Sequence, residues 1–330
     1  MGCAITSTEY NAFMRSWMLC GLAVTLSFLG CATANDTDAA SAESEQNGVG
    51  SLGTPKPSPD RVVAIGDLHG DLDAARRALR LAGAIDANDK WIGGKLVVVQ
   101  TGDQIDREDH DREIIDLFER LKNDARAAGG DVVSLCGNHE IMNASFDFRY
   151  TTKGGFSEFD DIQGNAPPIK GLTPDERGRV VAFGPGGPYA RVLAKRPVVA
   201  RVGDTIFVHG GVLQKHVRKG LDGINDGIRA YLEGTADTPP SNVVDDDGVV
   251  WTRAYSDKTG ASECAELTGA LTMLKATRMV VGHTVQERGM TSACDGRVIR
   301  IDTGMSKFYG GPIQALQITK DGKLSALTER

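Results

Sequence analysis

The sequence predicts an α/β fold in a single domain over residues 60–330, and three observations predict it. From Arg61 to Leu135, apolar runs of strand length alternate with amphipathic stretches of helix length, the pattern of a right-handed, largely parallel sheet. Each of the first three runs leads to a glycine followed by carboxylate, imidazole or amide side chains: Gly66-Asp67-Leu68-His69-Gly70, Gly102-Asp103-Gln104-Ile105-Asp106-Arg107 and Gly137-Asn138-His139-Glu140. The composition, 41% hydrophobic and 25% charged over 330 residues, is that of a globular chain long enough to bury a full core.

Arg61 to Ile65 reads as a buried strand. Asp71 to Ala82 reads as a helix, because Leu72, Ala75, Leu79 and Ala82 fall at helical spacing and Gly83 stops it. The helix begins directly after His69-Gly70, so its N-terminus, whose dipole favours an anion, points toward that turn. Asp71 itself reads as the helix cap. Lys95 to Gln100 is a second strand. Glu108 to Ala128 is a long helix with Ile114, Ile115, Leu117, Phe118 and Leu121 on its apolar face, and Asp131 to Leu135 is a third strand. Loops that follow parallel strands gather on one edge of the sheet, which brings Asp67, His69, Asp103, Asp106, Asn138 and His139 together. Asn143 to Val180 has few apolar runs and reads as irregular chain bordering that edge. Pro197 to Ala200 and Thr205 to Val208 read as strands joined through Gly203-Asp204, the second ending in His209-Gly210-Gly211. Leu221 to Glu233 and Leu267 to Ala276 read as helices, and Arg278 to Val281 as a strand ending in Gly282-His283-Thr284. Asp245-Asp246-Asp247-Gly248 lacks the spacing of a calcium loop and reads as a solvated turn. Val298 to Ile301, Ile313 to Ile318 and Ala326-Leu327 are expected to finish a second sheet whose strands need not be parallel.

The N-terminal stretch reads as a targeting signal. Met14-Arg15 precedes the apolar run Ser16 to Leu29, which ends at Gly30-Cys31. Two processing sites compete within residues 1–34: cleavage before Cys31, which would leave Cys31 lipidated, or after Ala34 in Ala32-Thr33-Ala34. Myristoylation at Gly2 is the alternative, and it leaves the apolar run unexplained. Residues 35–59 are rich in small, polar and acidic side chains and read as a disordered linker. The expected location is therefore outside the cytoplasm, in the periplasm or cell envelope, with a possible lipid anchor to the membrane. A net charge of -7 argues against a broad nucleic-acid-binding face. Cys136 lies inside an apolar run and is expected to be buried. Cys264 and Cys294 are candidates for a disulfide in an oxidising compartment.

Four of the six histidines, His69, His139, His209 and His283, directly follow strand-like runs and short turns; His110 and His216 do not, and are expected on the surface. Asp67, His69 and Asp103 offer two carboxylates and an imidazole, and Asn138, His209 and His283 offer an amide oxygen and two imidazoles. Two cations about 3.5–4 Å apart would need one carboxylate to bridge them. A mixed nitrogen and oxygen donor set suits Mn, Fe or Zn better than Mg alone. Glu140 is expected at the start of a helix or behind the ligands.

These motifs resemble a known family. G-D-L-H-G, G-D-Q-I-D-R and G-N-H-E resemble the calcineurin-like metallophosphoesterases in their phosphoprotein phosphatase branch. G-N-H-E-I-M-N, V-W-T-R, V-V-G-H-T and I-D-T-G-M-S-K-F-Y-G-G are similar to the Shewanella-like protein phosphatases. The resemblance implies a four-layer αββα sandwich with a single catalytic domain. It also implies two metal ions, one held by Asp67 and His69, the other by Asn138, His209 and His283, with Asp103 bridging. His139, oriented by Asp106, would protonate the leaving oxygen, while Arg107 and Arg253 would hold the phosphoryl group. The activity implied is hydrolysis of phosphoprotein-type phosphate esters by direct attack of a hydroxide bridging the two metals. The alternatives are hydrolysis of dinucleoside polyphosphates or other small phosphoesters, and a non-catalytic metal-binding role at the envelope.

Overall fold

The structure, a computed structural model, describes residues 58–167, 169 and 171–329. The targeting signal, the lipidation candidate Cys31 and all of the linker but residues 58 and 59 lie outside the described residues. Two five-stranded sheets form the centre. The first runs in the order β10 (Leu324–Thr328), β9 (Gln314–Thr319), β1 (Arg61–Ile65), β2 (Val97–Gln100), β3 (Asp131–Ser134). The second runs β4 (Val199–Val202), β5 (Thr205–Val208), β6 (Arg278–Val281), β8 (Val298–Arg300), β7 (Thr291–Ala293).

The period of two in the strands sorts their side chains onto opposite faces. Val62 and Ala64 of β1, with Val97 and Val99 of β2, share one apolar cluster with Ala200, Phe207 and Val280 of the second sheet. The sheets therefore pack face to face. Val63 and Ile65 point the other way, onto helices α1 (Leu72–Leu81) and α2 (Asp111–Ala127). On the far side, Ile206, Val208, Met279 and Val281 pack under helices that include α8 (Leu221–Leu232) and α10 (Ala261–Leu274). The architecture is the four-layer αββα sandwich. Between α2 and α8 the chain also forms α3 (Asn138–Ala144), α4 (Lys153–Ser157), α5 (Arg177–Phe183), α6 (Pro188–Leu193) and α7 (Gln214–Lys219); α9 (Ser241–Val244) precedes α10. No described helix is long and apolar enough to cross a membrane.

Most of the first half follows the sequence expectation. β1, β2 and β3 pair in parallel, with Val62 opposite Val97 and Val97 opposite Asp131. Asp71 caps α1 by accepting from the Ala74 amide at 3.0 Å. Four expectations are corrected. β9 and β10 belong to the first sheet: β9 runs antiparallel to β1, with Ile318 opposite Val62. The physical reason is the buried edge of β1, whose peptide groups need partners on the side away from β2. The segment Asn143 to Val180 is not irregular, since it contains α4, a 3-10 turn at Pro174–Glu176 and most of α5. Its helices are too short to show a periodicity, and they pack Phe148, Phe156 and Val180 into a small cluster of their own. β7 was not foreseen; its three residues carry no apolar run. His216 is buried at 1% exposure rather than lying on the surface. Its ring is folded back to accept from the Leu213 amide at 3.1 Å, capping its own helix. His110 is exposed and pairs with Glu113 at 3.0 Å.

Candidate active site

The C-terminal ends of β1, β2, β3, β5 and β6 converge at one rim of the sandwich, and the turns that leave them are sharply bent. His69, Asp103, Asp106, Arg107 and His283 all have positive φ, between 47° and 77°. Non-glycine residues avoid this region, and where they occupy it the surrounding structure must hold them there. Two neighbouring glycines show why the turns need room. A Cβ on Gly137 would collide with the Asp103 carboxylate, and one on Gly282 with the Asp67 carboxylate. Glu140, buried at the start of α3, ties two of the turns together. It accepts from the amides of Gly137 at 2.7 Å, Gln104 at 2.8 Å and Asp103 at 2.9 Å.

Asp103 sits at the centre. Its Oδ2 lies 3.3 Å from His209 Nε2 and 3.8 Å from both His69 Nε2 and His139 Nε2. Two groups of potential ligand atoms, each within 4.8 Å of one another, share it: His69, Asp103 and His139, and Asp103, His209 and His283. Asp67 lies 4.0 Å from His69 Nε2 and accepts from the His283 amide at 3.1 Å. Asn138 Oδ1 lies 2.8 Å from His209 Nε2. The structure thus brings Asp67, His69, Asp103, Asn138, His139, His209 and His283 into one buried cluster.

The outward nitrogens of three rings meet backbone carbonyls. His69 Nδ1 faces Ile105 O at 3.3 Å, His209 Nδ1 faces Thr101 O at 2.9 Å, and His283 Nε2 faces Trp251 O at 3.1 Å. A carbonyl only accepts, so each of those nitrogens carries the proton and the other offers a lone pair. For His209 that lone pair points at the amide oxygen of Asn138 and the Asp103 carboxylate. Three acceptors this close, with no donor among them, are the arrangement a cation resolves.

The electrostatics agree. Burial pushes Asp67 well above the usual carboxylate range, and the nearby Asp302 and Asp103 carboxylates push it further. Burial drives His69 down to about 3, helped by His139, and drives His283 well below its ordinary value. Burial disfavours the Asp103 carboxylate too, but the His209 and His139 rings outweigh it and hold the group well below the usual range. The cluster is a set of carboxylates and imidazoles removed from water, and it fits metal ions. Buried carboxylates of this kind are stable only when paired or coordinated.

His139 differs from the other three rings. Its Nδ1 bonds the Asp106 carboxylate at 2.8 Å, and its Nε2 is turned toward Asp103, 3.8 Å away. Burial opposes charge on this ring, but Asp103 and Asp106 outweigh it and hold the pKa up at about 8. A ring backed by a carboxylate and turned into the ligand cluster is built to deliver a proton.

Arg107 is held at the mouth. Its guanidinium lies over the Tyr150 ring at 3.9 Å, and the rings of Phe308 and Tyr309 lie 4.9 and 5.9 Å away. Its buried Nε has no hydrogen-bond partner, and it does not pair with Asp106. Arg253 is exposed beside His283, donating to His283 O at 3.0 Å and Thr284 Oγ1 at 2.6 Å. Outside the site, Cys264 and Cys294 are joined by a disulfide and Cys136 is a buried free thiol.

Sequence reasoning missed several residues of this neighbourhood. Asp302, in the I-D-T-G segment, is buried beside Asp67, and burial raises it to about 6. Its signal was the same strand-to-turn grammar, with the acid one residue past an apolar run. Tyr150 and Arg179 come from the segment taken as irregular and had no signal of that kind.

The comparisons with known proteins accord with this geometry. Residues 60–287 match the family model described as calcineurin-like phosphoesterase. The chain is 38% identical over 319 residues to Shewanella-like protein phosphatase 2 of Arabidopsis thaliana, covering 86% of this chain and 81% of that one. It is 31% identical over 278 residues to Shewanella-like protein phosphatase 1 of Plasmodium berghei, covering 81% and 74%. Among solved structures it is similar to a cold-active protein-tyrosine phosphatase of a psychrophilic Shewanella species. There the TM-score is 0.65 and the identity 24%, with 84% of each chain covered, a likeness of fold. The chain belongs to the calcineurin-like phosphoesterases, among their Shewanella-like protein phosphatases, and is a metal-dependent hydrolase of phosphoric monoesters.

Proposed function

We propose that the substrates are phosphoprotein-type monoesters and that aryl phosphates, phosphotyrosine first among them, are preferred. The observation that carries this reading is the aromatic collar at the mouth. Phe308 and Tyr309, 53% and 38% exposed, stand with Tyr150 around the Arg107 guanidinium. A planar leaving group can stack on such rings while its phosphoryl oxygens reach the planar fork of Arg107.

Asp67, His69, Asp103, Asn138, His209 and His283 would hold two metal ions, with Asp103 shared, and the donor set suits Mn, Fe or Zn. Such ions, when bound, supply Lewis acidity and an acidified water at neutral pH. The chain's own residues do the rest. Arg107 and Arg253 orient the phosphoryl group. His139 Nε2 gives its proton to the ester oxygen as the bond from phosphorus to that oxygen breaks; water supplies the new oxygen on phosphorus and releases one proton, which restores His139. The products are inorganic phosphate and the free hydroxyl compound, with no covalent enzyme intermediate. Asp106 holds the proton on His139 Nδ1 throughout.

The test is a panel of phosphotyrosine, phosphoserine and phosphothreonine peptides assayed with Mn, Fe, Zn and Mg in turn. Phosphotyrosine peptides should lead by at least tenfold in kcat/KM, and Phe308→Ala with Tyr309→Ala should erase the lead. Equal rates on all three classes would remove the collar's role. We also propose export, with cleavage before Cys31 or after Ala34. The Cys264–Cys294 disulfide supports it, because such bonds persist in oxidising compartments. The mass of the mature N-terminus decides between a lipidated Cys31 and an unmodified chain.

A further inference from the structure

We infer that Arg179 is a positioning residue for proton delivery: its guanidinium fixes the Asp106 carboxylate, which in turn fixes His139. The inference rests on the reading of His139 as the acid toward the leaving oxygen.

Asp106 is fully buried and accepts four hydrogen bonds, two on each oxygen. Oδ1 takes Thr151 Oγ1 at 2.7 Å and Arg179 Nη2 at 3.1 Å; Oδ2 takes His139 Nδ1 at 2.8 Å and Asn143 Nδ2 at 2.9 Å. Among these donors only Arg179 brings a permanent charge. A buried carboxylate keeps its ionised form through such a partner, and an ionised Asp106 is what binds the Nδ1 proton.

Arg179 is itself immobile. It is fully buried, and its Nε donates to Asn143 Oδ1 at 2.8 Å and its Nη1 to Gly155 O at 2.7 Å. Nη1 also meets Asp111 at 2.7 Å, and Phe183 and Phe159 stack at 4.8 and 5.3 Å from the guanidinium carbon. The bond from Arg179 to Asn143 matters twice. It sets which way the Asn143 amide faces, so that Nδ2 points at Asp106 and at His139 O, 3.0 Å away. One side chain from the segment after α3 therefore holds both Asp106, which binds the imidazole, and Asn143, which binds Asp106 and the His139 carbonyl. A lysine here would serve only in part, because only a planar fork reaches Asp106, Asn143 and Gly155 at once.

A residue that merely ties the fold together would, when replaced, slow all substrates alike. One that acts through His139 slows esters in proportion to their need for a proton. The test compares phenyl phosphate, a poor leaving group, with 2,4-dinitrophenyl phosphate, which departs unprotonated, on metal-loaded Arg179→Met and Arg179→Lys. We expect kcat on phenyl phosphate to fall about 10–100-fold in Arg179→Met, part of the ~10²–10⁴ that general acid catalysis supplies, and less than about threefold on the dinitrophenyl ester. Arg179→Lys should recover part of the loss. His139→Asn combined with Arg179→Met should be no slower than His139→Asn alone. Independently of turnover, the Nδ1 proton of His139 should be visible by NMR as a downfield, slowly exchanging resonance. It should vanish in His139→Asn and broaden in Arg179→Met. Equal losses on the two esters, an unchanged Nδ1 proton, or failure of every Arg179 variant to fold overturns the positioning role. If His139→Asn itself shows no contrast between the esters, the acid assignment fails first, and the two failures are thereby told apart.

Discussion

Asp106→Asn keeps the shape of the side chain and removes one acceptor. Both oxygens of Asp106 face donors: Thr151 and Arg179 on one side, His139 and Asn143 on the other. The new amide must turn its NH2 toward one pair or the other, so two hydrogen bonds are lost whichever way it settles. If the NH2 faces His139, the Nδ1 proton has no acceptor and the ring moves its proton to Nε2. It then becomes a neutral, far weaker acid. The expected cost is about 10²–10⁴ in kcat on phenyl phosphate. If it faces Arg179, the buried guanidinium loses one of its two carboxylate partners and keeps Asp111, at a cost of about 1–3 kcal/mol in stability. The assay is kcat on phenyl and 2,4-dinitrophenyl phosphates beside a urea titration of the same protein. A variant that keeps more than about a tenth of its phenyl phosphate turnover and is as stable as the parent would refute this account of Asp106.

Other outcomes follow from the same coordinates. Asp103→Asn should lower bound metal and abolish turnover, whereas His139→Asn should abolish turnover and keep its metal; equal metal loss by elemental analysis would remove the division of roles. Replacing Cys264 and Cys294 with serine frees a loop with a sequence separation of 30, worth up to about 3.6 kcal/mol at 25 °C by chain entropy. A urea midpoint unchanged from the parent would contradict that figure. Burial, with Lys215 nearby, holds His216 at about 4, below its ordinary 6.5. The folded state thus binds fewer protons than the unfolded one between those values, and stability drains away as pH falls through that window. His216→Phe should lose about 1–2 kcal/mol less than the parent between pH 7 and pH 4.5, and parallel stability curves would dismiss the effect.

The first half of the fold was legible because β1, β2 and β3 announce themselves three ways at once: apolar run, glycine, then polar ligand. Each feature has a local cause, since a buried strand must be apolar and a tight turn beside a carboxylate must lack a Cβ. What was illegible depends on distant partners. β9 carries a good strand pattern, but nothing within it says that its partner is β1, more than two hundred residues earlier. His216 sits among polar neighbours and is buried only because its ring turns back on Leu213. Arg179 is the sharpest case. An arginine in a short helix of seven residues reads as solvated, and its burial follows from the carboxylates of Asp106 and Asp111, which reach it only in the folded chain.

The sharing of the site between two sheets has a thermodynamic consequence. Asp67, His69, Asp103 and Asn138 leave strands of one sheet, and His209 and His283 leave strands of the other, across a largely apolar interface. Ions held by both would act as a clasp across that interface, binding the docked arrangement and not its parts. Occupancy then reports assembly: a chain whose halves have not closed lacks His209 and His283, two of the six donors, and holds the ions more weakly. Chelation should accordingly lower the melting temperature as well as silence turnover, by an amount that grows with the logarithm of free metal over its dissociation constant.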